Sequence, residues 1–227
     1  MLSLRPSRRH FDIEMKSLTD GLLAMGRLAQ ERLGMAVRGL IERDPDLVTV
    51  VIGGDDDINQ FHLDIDNHCF TLLALHQPAA VDLRTIMAAV KISSDLERVG
   101  DLAVNIAEAT ERHIAHPPVM TLGEIPRMAE WAQAMLRDAM AAFASRDTTL
   151  AQGVLTRDDT LDRLKTEIIH ELVATMLHDR RTIESAINLI LISRHLERVG
   201  DHATNIGEDI IFVVAARDVR HHVASMS

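Results

Sequence analysis

The chain has 227 residues, with 24 Lys and Arg against 34 Asp and Glu, so its net charge is −10; that acidity, with five Phe, one Trp and no Tyr, argues against a nucleic-acid partner, which needs basic patches and stacking rings. Its one cysteine, Cys69, cannot close an internal disulfide, and no uncharged apolar run reaches the roughly 20 residues that span a bilayer. With few Gly and Pro among many good helix formers, the composition predicts an all-α, soluble, cytoplasmic protein with no direct membrane insertion.

Residues 1–10 form a basic N-terminal arm carrying Arg5, Arg8 and Arg9. Apolar residues then recur at helical spacing over 11–41, and Asp44-Pro45 supplies a cap and a first helical position. A second helical stretch runs to residue 76, with Gly53-Gly54 loosening its start and Gln77-Pro78 ending it. A third covers 81–112, which closes a first unit at 11–113. A linker at 114–124 holds Pro117 and Pro118, with Pro126 just beyond. The second unit, 125–217, repeats the pattern with helices predicted over 125–145, 148–178 and 183–217, and a tail follows at 218–227. Two tandem antiparallel three-helix bundles are the simplest architecture.

The duplication is explicit. LERVGDLAVNI at 96–106 and LERVGDHATNI at 196–206 agree at nine of eleven positions, 100 residues apart. Upstream, Asp55-Asp56-Asp57-Ile58-Asn59 resembles Asp158-Asp159-Thr160-Leu161-Asp162 at an offset of 103, so about three residues were gained or lost in the intervening turn.

At about 100° per residue, Glu97, Asp101, Asn105 and Glu108 form one stripe on the third helix, opposite Leu96, Val99, Ala103 and Ile106. Asp55, Asn59, His62 and Asp66 share a similar arc on the second helix. If those helices are antiparallel and turn near residues 77–80, Glu97 lies level with residue 60 and Asp101 with residue 56. In the second unit, Glu197 falls level with residue 163 and Asp201 with residue 159, beside Asp158 and Asp162. Carboxylates crowded in one groove raise each other's pKa or need a cation. Lys165, Arg98 and Arg198 are cations within reach, and a metal compensates more strongly. Oxygen ligands suit iron, manganese, magnesium, calcium or zinc and can bridge several ions. The expected metal ligands are Asp55, Asn59, Glu97, Asp101, Asp158, Asp162, Glu197 and Asp201. The other reading of the shared Gly100 and Gly200 is close helix packing.

Paired ERVGD segments, each preceded by a helix with an Asp-rich start, in two tandem three-helix units, resemble the PhoU family of phosphate-signalling accessory proteins. The likeness runs over about 18–212, with Arg181-Thr182-Ile183 and the tail Asp218-Val219-Arg220-His221 adding to it. It implies a non-enzymatic regulator that restrains the phosphate-starvation response by docking to the ATPase subunit of a phosphate ABC transporter and to a sensor histidine kinase; a homodimer is expected. It also implies iron or zinc clusters held by pairs of the form Glu or Asp, three residues, Asp, while the oxygen donors themselves leave manganese or magnesium as alternatives. Glu97 with Asp101, Glu197 with Asp201, and Asp158 with Asp162 match that pattern. Asn59 departs from it, which makes the first site the weaker expectation.

Two rival functions follow from the same residues. A carboxylate-bridged metalloenzyme needs a Glu-x-x-His element on two helices, and only Glu167 with His170 fits. A metal-free helical adaptor needs no ligands at all. His195 and His202, where the first unit has Asp95 and Leu102, read as packing or partner contacts, and methionines such as Met25 and Met87 read as core fillers.

Overall fold

The computed structural model describes residues 5–54, 56–116, 122–217 and 219. Helix α1 (Arg5–Glu42) begins six residues before the predicted start, so the backbone of the basic arm is helical from Arg5. Arg43 then turns the chain with φ of 54°. Asp44 caps α2 (Pro45–Ile52) by accepting the Asp46 and Leu47 backbone N–H groups at 2.9 and 3.2 Å.

The single stretch predicted over 45–76 is two helices, α2 and α3 (Asp56–Leu75), broken at Gly53-Gly54. The break is held by Arg32, which donates to the Val50 carbonyl at 3.0 Å and pairs with Asp57 at 3.2 Å. Gly54 leaves room for that guanidinium, since a Cβ on it would fall 1.5 Å from Arg32 Nη1 and displace the arginine head. Helix α4 (Ala80–Ile114) follows, two residues longer at its end than predicted.

The second unit repeats the scheme: α5 (Ile125–Ser145), Arg146 at φ 55°, and Asp147 capping α6 (Thr148–Leu155) through Thr149 and Leu150 N–H at 2.8 and 3.1 Å. Here too the predicted single helix over 148–178 is broken, into α6 and α7 (Asp158–His178). No Gly or Pro marks the spot. Instead Thr156 donates its hydroxyl to Gly153 O at 3.0 Å, and Arg157 leaves the helix to pair with Asp138 on α5. A 3₁₀ turn at Arg180–Thr182 leads to α8 (Ile183–Ala215), which ends two residues before the predicted 217 at Ala216, with φ of 52°. Pro117 and Pro118 of the linker, and the tail apart from Val219, lie outside the described residues; Val219 packs against the core.

Helices α4 and α8 form the central antiparallel pair. Helices α1, α2 and α3 pack on α4, and α5, α6 and α7 pack on α8. Ile92, Leu96, Val99, Ala103 and Ile106 of α4 and their α8 counterparts are all essentially inaccessible, each large one contributing about 1.5–3 kcal/mol by burial.

Polar pairs cross the α4–α8 interface. Lys91 meets Asp209 at 3.1 Å, and His202 and Asn205 reach Asp95 at 2.8 and 3.2 Å. Arg112 donates to Asn188 at 3.3 Å, and Ser185 joins His113 Nδ1 at 2.8 Å. One hundred residues away in each direction the equivalent positions are largely apolar: Leu191 with Ala109, His195 with Leu102, Phe212 with Ala88, Val213 with Thr85. His202 is thus tied to Asp95 in the other repeat.

Candidate functional site

The acidic stripes border two helix–helix grooves, α3 against α4 and α7 against α8, and glycine sets how closely each pair approaches. A Cβ on Gly100 would lie 2.9 Å from Ile58 Cδ1, and one on Gly200 would lie 2.4 Å from Leu161 Cδ2. Both contacts fall within about one residue of the level that antiparallel pairing predicts. Gly100 lies between Glu97 and Asp101, and Gly200 between Glu197 and Asp201, so close approach occurs beside each doublet.

In the second groove all four predicted residues come together. The Lys165 ammonium lies 2.7 Å from Asp162 Oδ1 on its own helix and 2.7 Å from Glu197 Oε1 on α8. Both hydrogen bonds raise the Lys165 pKa, Asp162 first. Desolvation, then Glu197, Asp158 and Asp162, pushes the Asp201 carboxyl up to about 6. Desolvation followed by Asp162, Asp159 and Glu197 also raises Asp158, while Lys165 opposes the rise.

The first groove is balanced differently. Arg98, on the same helix as the doublet, lies 3.5 Å from Glu97 and 3.0 Å from Asp101. Asn59 is half-buried, one residue beyond Ile58. Asp55 lies outside the described residues. His62 stands at the position equivalent to Lys165, with its Nε2 3.7 Å from Asp66. Among the described residues, His62 Nδ1 and Asp66 Oδ1 are buried with no hydrogen-bond partner.

Carboxylate oxygens that raise one another's pKa are a donor set suited to a hard or borderline cation. As the side chains stand, however, no three His, Cys, Asp or Glu among the described residues converge on a point that could hold a metal ion. In the second groove Lys165 takes up the bridging position between helices.

The duplicated arrangement has a counterpart among known proteins. The PhoU domain matches the chain twice, over residues 22–110 and 125–210. The chain belongs to the PhoU family. It is 40% identical over 220 residues to a phosphate-specific transport system accessory protein PhoU homolog of Pseudomonas putida, covering 94% of this chain and 84% of that one. The crystal structure of PhoU from Pseudomonas aeruginosa superposes with a TM-score of 0.88 at 38% identity, covering 91% of this chain and all of that one. That of the phosphate transport system regulatory protein PhoU from Streptococcus pneumoniae gives 0.86 at 28% identity, covering 92% and 99%.

Within this PhoU fold, Glu167 and His170 are both exposed on α7, not projecting inward as an oxidase ligand pair must. None of the described helices is long and apolar enough to cross a membrane. Sequence reasoning missed a clasp from the first repeat: Arg43 donates to the carbonyls of Ile114 and His116 at 3.0 and 2.6 Å, closing the C-terminal end of α4. Its signal was an arginine at a helix C-terminal turn, too common to read alone.

Proposed function

We propose that this PhoU protein is a non-enzymatic, cytoplasmic regulator of phosphate uptake and phosphate-starvation signalling. It docks, as a homodimer, on the ATPase subunit of a phosphate ABC transporter and on a sensor histidine kinase, keeping the kinase quiet when phosphate is plentiful. The observation that carries this reading is the pair of PhoU matches spanning both repeats, together with relatives named as accessory proteins of phosphate-specific transport. A regulator without chemistry must bind partner states unequally. Exposed apolar side chains near the hairpin ends, Phe70 and Leu75 on α3 and Val173 and Leu177 on α7, supply surface for such binding. Deleting the gene and measuring phosphate-regulated transcription tests it: repression in rich phosphate is lost, and unchanged repression refutes the reading.

The same reading takes the acidic grooves as cation sites, with iron or zinc ahead of manganese or magnesium. What supports it is the mutual crowding of Asp158, Asp162, Glu197 and Asp201 and the repeated Glu-Asp doublets. Elemental analysis of protein purified without chelator, beside Glu97→Ala/Asp101→Ala and Glu197→Ala/Asp201→Ala, tests it; equal metal in all three removes it. A metal-free adaptor is the second reading, favoured by the ion pairs that Lys165 and Arg98 already make in the two grooves.

A further inference from the structure

The α3 and α7 stripes differ at three corresponding positions. Aligned at the 103-residue offset of the two helices, Asn59, His62 and Asp66 in the first become Asp162, Lys165 and Ile169 in the second. The carboxylate gained at Asp162 and the ammonium gained at Lys165 are hydrogen-bonded to each other, 2.7 Å apart. They are not a simple addition to an acidic cluster, because Lys165 also takes an oxygen of Glu197 on the facing helix, 2.7 Å away. Its side chain is 24% exposed, lodged between α7 and α8. Arg98 in the first groove is 56% exposed and runs along its own helix, from where it can swing into solvent.

We propose that Lys165 is a tethered counter-ion that closes the second groove to divalent cations, so that the two repeats are unequal as cation sites. This rests on reading the first groove as a cation site, and it withdraws that reading from the second. An ion shared by the carboxylates of α7 and α8 has to sit between them, where the ammonium sits. Entry would break both of its charge-assisted bonds and leave two cations side by side. In the first groove the corresponding residue is an imidazole, which is itself a ligand for borderline cations.

The test titrates Zn²⁺ into the full chain after stripping with EDTA, counting bound zinc by dialysis and elemental analysis, with circular dichroism reporting folding. Lys165→Met is expected to gain a class of zinc site, and the gain disappears when Glu197→Ala/Asp201→Ala is added. Glu197→Ala/Asp201→Ala alone binds zinc as the wild type does. The reciprocal Asn59→Asp/His62→Lys weakens wild-type zinc binding by roughly tenfold or more. The proposal is overturned if Lys165→Met gains nothing, or if Glu197→Ala/Asp201→Ala costs as much zinc as Glu97→Ala/Asp101→Ala. A wild type that takes no zinc defeats the cation reading of the first groove, while Lys165→Met still decides this one. Should Lys165→Met fail to fold, unchanged zinc binding by the reciprocal variant overturns it.

Discussion

Gly200 and Leu161 meet so closely that a methyl group on Gly200 would fall 2.4 Å from Leu161 Cδ2, whereas the equivalent methyl on Gly100 would sit 2.9 Å from Ile58 Cδ1. Alanine at either position gains up to about 1 kcal/mol of helix propensity. Against that stands overpacking of a core side chain, about 1–3 kcal/mol. Leu161 is fully buried and has little room to yield. Gly200→Ala is therefore expected to lower the urea midpoint clearly, and Gly100→Ala to lower it less or leave it unchanged. The reverse order would show that the α7–α8 approach is not set by this contact.

His113 gives the fold a pH dependence. Burial, and then the Arg43 guanidinium, holds its imidazole below the ordinary value of 6.5, with a hydrogen bond to the Ser185 backbone opposing. Because the folded pKa is depressed, the unfolded chain takes up a proton first as pH falls. The stability tied to neutral His113 is fully present above 6.5 and is lost as pH drops below it. Urea midpoints from pH 7.5 to 5 are expected to fall for the wild type, and less steeply for His113→Gln. Equal slopes would mean that the folded protein tolerates the protonated ring.

Much of this was legible in the sequence, and the reasons differ by feature. The repeat announced itself in Glu97-Asp101 and Glu197-Asp201, and antiparallel register follows from helix rise alone, so Gly100 meets Ile58 within about one residue of its expected level and Glu197 meets Lys165 two residues from the expected 163. The break between α6 and α7 was invisible because it is built by tertiary contact, Arg157 reaching Asp138 on α5, rather than by a breaking residue. The cross-repeat pairs were hidden for a related reason. Asp95 and His202 each looked like an isolated departure from the repeat, and only the packing of α4 on α8 shows that the two departures answer each other.

The Lys91–Asp209 pair invites an experiment that the repeat itself designs. Asp209 is only 4% exposed, and Lys91 also lies 5.9 Å above the centre of the Phe212 ring. Lys91→Leu strands part of a buried carboxylate's hydrogen bonding and is expected to cost about 1–3 kcal/mol. Positions 191 and 109, the equivalents in the other half, hold Leu and Ala. The double variant Lys91→Leu/Asp209→Ala copies that arrangement and is expected to recover most of the loss in a double-mutant cycle. Additive losses would show that the two residues do not act as a pair.

Asp201 carries the opposite pH signature from His113. In protein freed of metal by chelator, its carboxyl sits up at about 6, against an unfolded value of 3.8, because the groove desolvates it and Glu197, Asp158 and Asp162 repel its charge. A raised carboxyl favours the folded state below the unfolded value, and that contribution is lost as pH rises through about 6. Asp201→Asn, which stays neutral, is expected to stand above the wild type in thermal midpoint at pH 7.5 and to converge with it near pH 4. Lys165 partly offsets the rise of the Asp158 carboxyl, so Lys165→Met lets that second carboxyl rise further and steepens the loss as pH rises. A Lys165→Met profile parallel to the wild type would show that the ammonium does not govern the charge of this groove.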